Sequence, residues 1–281
     1  MRLVGIHLSY WQVRWDDDLR PLIGKAKRAG FDVAEFPLLT PAALDLAGLR
    51  ATLDDLGMHA SCGTGLGPET DITHPDLAVR NTGLAHLRAC IQGAAQLGSP
   101  ILGGVTYAPW AVFPQDDLGG RRRQCITSLK DVAAMAEDHG VTVCLEVLNR
   151  FEGYLVNTVT QGMELLDEVG SPWLKLHLDT FHMNIEEDDI GAALRQAGSR
   201  LGHLHCVENN RKIPGQGHIP WAEVGEALNA IAYRGYIVAE VFVNPAGEVG
   251  RGLYIWRSLA DDLDAAAQQA AVFLKRELAG V

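Results

Sequence analysis

One short junction recurs along this chain and constrains its fold more than any other feature. A helical run ends, a glycine follows, and an apolar stretch begins within a few residues, as in AKRAGFD, LDDLGMH, AAQLGSP, AEDHGVT, LDEVGSP and AYRGY. Glycine ends helices because it adopts the left-handed conformation at little cost. A junction that returns at intervals of roughly 30 to 40 residues predicts one repeated strand–helix unit.

The chain divides into eight such units. Strands are predicted near Val4–Leu8, Asp32–Phe36, His59–Cys62, Pro100–Val105, Val141–Glu146, Leu174–Leu178, Gly202–Val207 and Tyr236–Glu240. Helices are predicted near Asp17–Ala29, Pro41–Leu56, Pro75–Leu97, Leu118–His139, Val159–Glu168, Ile190–Ala197, Trp221–Ile231 and Leu253–Leu278. This pattern predicts an α/β fold, a (β/α)8 TIM barrel. No Ser/Pro-rich linker interrupts it, so we expect residues 1–281 to form a single domain.

An open doubly wound sheet is the alternative architecture. Such a sheet usually carries a glycine-rich phosphate loop after its first strand. Here the first strand runs into SYWQVRW, with neither GxGxxG nor GxxxxGK[ST]. We therefore favour the barrel and expect no nucleotide cofactor.

Composition limits the partners of the chain. Lys and Arg number 24 against 35 Asp and Glu, a formal charge of −11, so no global basic field would attract nucleic acid. The five cysteines are scattered without a CxxC pair, which favours a reducing cytoplasm. We see no secretory signal, and the uncharged stretch Ala89–Gln115 contains prolines, glycines and glutamines that suit a helix end, a strand and a loop. We expect a soluble, cytoplasmic protein without membrane or nucleic-acid partners.

Four consecutive predicted strands end in metal-ligand side chains, namely Glu146, Asp179, His205 and Glu240. In a barrel these ends meet at one mouth, where three buried carboxylates would repel one another without a cation. Taken alone, each acid is more often a helix cap or an ion-pair partner, and the histidine a hydrogen-bonded core residue. The joint pattern favours a divalent metal, and three oxygens with one imidazole suit Mn²⁺, Co²⁺ or Mg²⁺.

The positions of two of these acids suggest a reaction. The fifth and eighth strands lie three apart around the ring, so Glu146 and Glu240 should face each other across the metal. One carboxylate could remove a proton from a substrate carbon and the other could return one to the opposite face. That is the chemistry of an epimerase, although aldose–ketose isomerisation through a cis-enediol uses similar ligands.

Several longer segments carry a family resemblance. The stretches LEVLNRFEGYLVNT, KLHLDTFHMNIEE, GHLHCVENNRKIPGQGHIPW and IVAEVF resemble the ketose 3-epimerases of the D-tagatose and D-allulose (psicose) 3-epimerase group, within the xylose-isomerase-like TIM barrels. The resemblance runs the length of the chain, and DTFHMNIEE is its most specific motif. It implies that Glu146, Asp179, His205 and Glu240 bind the metal and that Glu146 and Glu240 are the acid/base pair.

The resemblance also implies substrate contacts. Glu152, His182 and Arg211 match positions that hold the O1 to O3 end of an open-chain ketose, and Trp15 and Trp110 match positions that line the pocket. From the residues alone, Arg211 would be a solvated loop charge and His182 a hydrogen bond at a helix start. His7 and Gly63 depart from the family at pocket positions, which leaves the preferred sugar open. The family further implies a homodimer or homotetramer.

These observations favour a metal-dependent ketose 3-epimerase that uses Mn²⁺, with Co²⁺ or Mg²⁺ as alternatives, and inverts C3 through a cis-enediolate. Expected substrates are D-tagatose, D-fructose/D-allulose and L-ribulose. The alternative is a C1–C2 sugar isomerase or hydroxypyruvate isomerase of the same superfamily. A DNA-repair endonuclease is disfavoured by the charge, and a non-catalytic binding barrel by the complete acid/base pair.

Overall fold

A computed structural model describes residues 1–280 as a closed barrel of eight parallel strands in sequence order, with β1 hydrogen-bonded to both β2 and β8. The strands are β1 Val4–His7, β2 Val33–Pro37, β3 His59–Leu66, β4 Ile101–Pro109, β5 Thr142–Glu146, β6 Leu174–Asp179, β7 Leu201–His205 and β8 Ile237–Ala239. The predicted (β/α)8 barrel is therefore confirmed. Because every strand runs in the same direction, all eight carboxyl ends open at one mouth.

Ten α-helices lie among the described residues. They are α1 Arg20–Ala29, α2 Leu46–Leu56, α3 Leu77–Leu97, α4 Leu118–His139, α5 Val159–Val169, α6 Thr180–Glu186, α7 Ile190–Ala197, α8 Trp221–Ala230, α9 Gly247–Gly252 and α10 Leu263–Glu277. Helices α1 to α5 each end on a glycine with positive φ, as the repeated junction predicts. The sixth junction, AYRGY, differs, since Ala232 takes the left-handed backbone conformation there and Gly235 does not.

Two predicted helices begin later than expected, and two observed helices were not predicted. The helix predicted over Leu253–Leu278 begins at Leu263, because Tyr254 has a φ of 58° that interrupts helix and Asp262 caps the new start. The helix predicted from Pro41 begins at Leu46, after a short 3-10 turn. Helices α6 and α9 were not predicted, because each is only six or seven residues long and too short to show helical periodicity.

Hydrogen bonds from Arg2 join the first strand to the carboxyl-terminal part of the chain. Strand β1 is fully buried, and the Arg2 guanidinium before it donates hydrogen bonds to Leu278 and Tyr233 carbonyls and to the Asn229 side chain. These bonds tie the chain's two ends together at the amino-terminal side of the barrel. Of the helices described, none combines the length and the apolar character that crossing a membrane requires.

Candidate active site

The four sequence-predicted ligands converge at the mouth. Glu146 ends β5, Asp179 ends β6, His205 ends β7 and Glu240 follows β8 directly. One potential ligand atom from each lies within 4.8 Å of the others, and all four side chains are buried or nearly so. We refer to them as the four-residue group.

The tautomer of His205 indicates that this group suits a cation. Its Nε2 lies 2.6 Å from Glu35 Oε1, and a buried carboxylate there accepts the Nε2 proton. Its Nδ1 is buried without a hydrogen-bond partner among residues 1–280, 3.4 Å from Glu240 Oε2 and 3.9 Å from Glu146 Oε1. An unpaired ring nitrogen beside three carboxylates is a donor set that fits a divalent metal ion.

The charges at the mouth also call for a cation. Burial and the neighbouring Glu240 carboxylate raise the pKa of Glu146 well above its usual range. Burial likewise raises the pKa of Asp179 to about 7, although Arg211 opposes the shift. Burial would also raise the pKa of Glu240, but His205 outweighs it and lowers that pKa to about 2. Additional positive charge is needed to hold all three acids ionised together.

A cavity of about 450 Å³ is lined by Glu146, His205 and Glu240 of the four-residue group. This volume falls in the range of small-molecule sites. Its wall includes every sequence-predicted substrate residue, namely Trp15, Trp110, Glu152, His182 and Arg211. The structure therefore brings these residues together around one space, while their contacts with a substrate remain a proposal.

Glu152, His182 and Arg211, here called the polar trio, are held by their neighbours. Glu152 accepts hydrogen bonds from Trp110 Nε1 at 3.0 Å and from Asn149 Nδ2 at 2.9 Å. Asn149 Nδ2 also lies 2.7 Å from His182 Nδ1, so Nδ1 is an acceptor and the ring proton sits on Nε2. Burial and Arg211 lower the pKa of His182 to about 3, which keeps this imidazole neutral.

Arg211 is largely buried and is not the solvated loop charge that the residues alone would suggest. Its backbone is left-handed, with a φ of 63°, and its guanidinium stacks 3.9 Å from the ring of Phe181 and 4.8 Å from that of Phe242. Its Nη1 donates to Asp179 Oδ2 at 3.2 Å. The two aromatic rings thus aim a positive group at the four-residue group.

Sequence reasoning missed a second layer beneath the mouth, formed by Glu35, His177 and His203. Glu35 is completely buried, and its Oε2 lies 2.7 Å from His203 Nε2. Burial would raise the pKa of Glu35, but His203 and His205 together lower it well below its usual range. His177 and His203 stand two residues before Asp179 and His205, which places them on the same strand face. The sequence patterns HLD at 177–179 and HLH at 203–205 show this spacing and could have revealed the second layer.

Comparison with known proteins identifies the family. Residues 23–275 match the model of the xylose isomerase-like TIM barrel. The chain belongs to this family. A D-psicose 3-epimerase from Ruminiclostridium cellulolyticum is 40% identical over 92% of this chain and 90% of its own. One from Agrobacterium fabrum is 36% identical over 98% and 99%, and an L-ribulose 3-epimerase from Mesorhizobium japonicum is 34% identical over 98% and 93%.

Solved structures place the chain within one branch of these xylose isomerase-like barrels. The crystal structure of a D-psicose 3-epimerase in the presence of D-fructose matches with a TM-score of 0.94 and 35% identity, over 99% of this chain and 100% of that one. A D-psicose 3-epimerase with D-tagatose from Clostridium cellulolyticum H10 matches at 0.92 and 38%, over 98% and 99%. The chain is thus a member of the ketose 3-epimerases, a group of isomerases.

Proposed function

We propose that this protein is a divalent-metal-dependent ketose 3-epimerase that inverts C3 of free ketohexoses and ketopentoses. Its substrates are D-tagatose, D-fructose/D-allulose and L-ribulose, sugars of the kind named for the relatives above. The observation that carries the proposal is the four-residue group, three of whose members line a cavity of about 450 Å³.

Glu146, Asp179, His205 and Glu240 are the proposed metal ligands, and Mn²⁺ is the proposed ion, with Co²⁺ or Mg²⁺ as alternatives. The set of three carboxylates and one imidazole supports this choice. When bound, such an ion would polarise the carbonyl and hydroxyl oxygens of the substrate and make the C3–H bond more acidic.

Glu146 and Glu240 are the proposed acid/base pair. They project from β5 and from the end of β8, and their carboxylates lie 3.9 Å and 3.4 Å from the His205 Nδ1 atom. One carboxylate takes the C3 proton, which leaves a cis-enediolate, and the other delivers a proton to the opposite face. Because the two glutamates can exchange the roles of base and acid, the same site catalyses the reaction in both directions.

The polar trio would hold the O1 to O3 end of the open-chain sugar. His182 Nε2 and the Arg211 guanidinium are donors, and the Glu152 carboxylate is an acceptor whose position Trp110 fixes. Trp15 and the Trp110 ring line the same space and would cover the apolar C–H face of the sugar. Fixed donors and acceptors keep C3 aligned between the two glutamates.

Product analysis tests this function against its nearest alternative. The Mn²⁺-loaded enzyme should convert D-fructose into D-allulose and D-tagatose into D-sorbose, whereas a C1–C2 sugar isomerase or hydroxypyruvate isomerase activity would interconvert an aldose or aldehyde with a ketose. Glu146→Gln and Glu240→Gln should each lose at least about a thousandfold in turnover, while the surface variant Glu137→Gln should not. Aldose formation, or normal turnover in either active-site variant, would contradict the proposal.

We also propose that residues 1–281 form one domain in a cytoplasmic homodimer or homotetramer. All five cysteines are buried and unpaired, which suits a reducing compartment. Phe151 and Trp256 are 70% and 74% exposed, and such large apolar surfaces are often covered by another subunit. Light scattering should give two or four times the 30.4 kDa chain mass.

A further inference from the structure

The cavity has two sides of different chemistry. The polar trio projects from the segments that follow β5, β6 and β7, and the four-residue group lies at the centre. The opposite wall is built by β1 to β4 and is mostly apolar or glycine, with residues Pro37, Gly63, Gly65, Leu66, Gly103, Gly104 and Val105. A polar group left free on this wall would meet the end of the substrate that the polar trio does not hold.

Only three side chains from strands β1 to β4 bring hydrogen-bonding atoms to this wall, namely His7, Glu35 and Thr64. Glu35 has both oxygens against His203 and His205. The Thr64 hydroxyl donates to the Leu38 carbonyl at 2.9 Å. Among these three strand side chains, His7 is therefore the remaining candidate to bind a ligand.

The tautomer of His7 is fixed by Ser9. The Ser9 backbone N–H donates to His7 Nδ1 at 3.3 Å, and the Ser9 hydroxyl lies 2.5 Å from the same atom. Nδ1 is thus the acceptor, and the proton of the neutral ring is on Nε2. Among residues 1–280, Nε2 has no hydrogen-bond partner, and it faces Gly63, where a Cβ would lie 3.8 Å away and narrow the space.

Strand order places this donor across the barrel from Glu152 and His182, which follow β5 and β6, and nearer to Arg211, which follows β7. Strand β1 is four positions from β5 in the eight-stranded ring, and the His7 ring centre lies 6.3 Å from that of His205. A ketose whose O1 to O3 end contacts the polar trio would extend its remaining carbons across the four-residue group toward β1.

We propose that His7 is a specificity-determining residue whose Nε2–H donates a hydrogen bond to a hydroxyl group beyond C3 of the ketose. This inference rests on the proposed function, because that function sets the orientation of the substrate. His7 would favour sugars that carry a hydroxyl at the matching carbon over their deoxy analogues. A buried donor left without its partner is the physical reason for that preference.

The test combines enzyme variants with deoxygenated sugars. The value of kcat/KM for hydrogen exchange at C3 is measured for D-fructose and its 4-, 5- and 6-deoxy analogues. The wild-type enzyme is compared with His7→Phe, which keeps a ring without the donor, and with His7→Gln, which keeps an N–H near the Nε2 position. His59→Gln, an exposed histidine at the amino-terminal end of β3, is the control. Because each sugar is compared between variants, differences in ring opening of the free sugars cancel.

We expect the wild-type enzyme to lose about tenfold on one of the deoxy analogues. His7→Phe should lose a similar factor on D-fructose and nothing further on that analogue, while His7→Gln and His59→Gln should stay close to the wild type. An equal sensitivity of wild type and His7→Phe to every deoxygenation would overturn the assignment.

Failure of the proposed function would be visible separately. If the wild-type enzyme exchanged no C3 hydrogen with any ketose, the epimerase proposal would fail. Calorimetric dissociation constants for the same four sugars would then decide the role of His7. One deoxy analogue that weakens binding to the wild type but not to His7→Phe would support the hydrogen bond, and parallel losses would refute it.

Discussion

His205 connects the two layers of the site at the scale of single residues. One ring nitrogen contacts Glu35 below, and the other faces the carboxylates of Glu146 and Glu240 above. Carboxylates that orient a metal-binding histidine fix its tautomer and raise its basicity. We therefore infer that Glu35 would act on the proposed metal through His205, as a positioning residue.

Replacement of Glu35 tests that role. Glu35→Gln and Glu35→Ala should raise the dissociation constant for Mn²⁺ by about 10- to 100-fold, because His205 loses the charged acceptor that orients it. The constant is measured by calorimetry, with Glu137→Gln as the surface control. Thermal unfolding of the metal-free proteins shows whether each variant is folded. Unchanged affinity in folded Glu35 variants would mean that Glu35 does not position His205.

The sequence reveals functional-site residues at strand ends more readily than those inside strands. Glu146, Asp179, His205 and Glu240 could be found because each closes an apolar run, and barrel topology brings such ends together. Glu35 could not, because it lies within a buried strand and its partner His205 is 170 residues away along the chain. Only the closed barrel makes these two residues neighbours.

At the scale of elements, local capping explains both the correct and the incorrect helix boundaries. Glycines such as Gly57 and Gly140 end their helices with φ values of 59° and 65°, as their sequence context indicates. The start of α10 was predicted about ten residues too early, because helical periodicity does not reveal the conformation of Tyr254. The boundary depends on Asp262, whose carboxylate accepts the backbone N–H groups of Asp264 and Ala265.

Asp262→Ala should destabilise the protein. Loss of this N-cap should lower the free energy of unfolding by about 1 kcal/mol and the melting temperature by about 2 °C. Differential scanning calorimetry measures both quantities. Asp261→Ala is the matched control, since this neighbouring exposed aspartate caps no helix among the described residues. Equal melting temperatures for the two variants would show that α10 does not depend on the cap.

At the scale of the whole molecule, the barrel gathers buried negative charge at one end. Folding brings Glu146, Asp179 and Glu240 together, and the Arg211 guanidinium lies 3.2 Å from Asp179 and 3.5 Å from Glu240. An ion that binds the folded chain and not the unfolded chain stabilises the folded state by mass action.

Metal removal should therefore lower the melting temperature of the entire barrel. Mn²⁺ at about 100 times its dissociation constant should add about 2.7 kcal/mol to the free energy of unfolding. This increase corresponds to roughly 5 to 10 °C in melting temperature, and an excess of chelator should reverse it. In Asp179→Asn the increase should be much smaller at the same Mn²⁺ concentration. The same increase in this variant would place the bound ion elsewhere.

The central claim is that Glu146 and Glu240 move protons on opposite faces of C3, and carbon-bound deuterium observed by NMR tests it most directly. The Mn²⁺-loaded protein is incubated in D₂O with D-fructose, D-tagatose and L-ribulose in turn. We predict deuterium at C3 together with the C3-epimeric ketose, and neither signal in Glu146→Gln or Glu240→Gln. Deuterium at C1 or C2 together with an aldose would contradict the account.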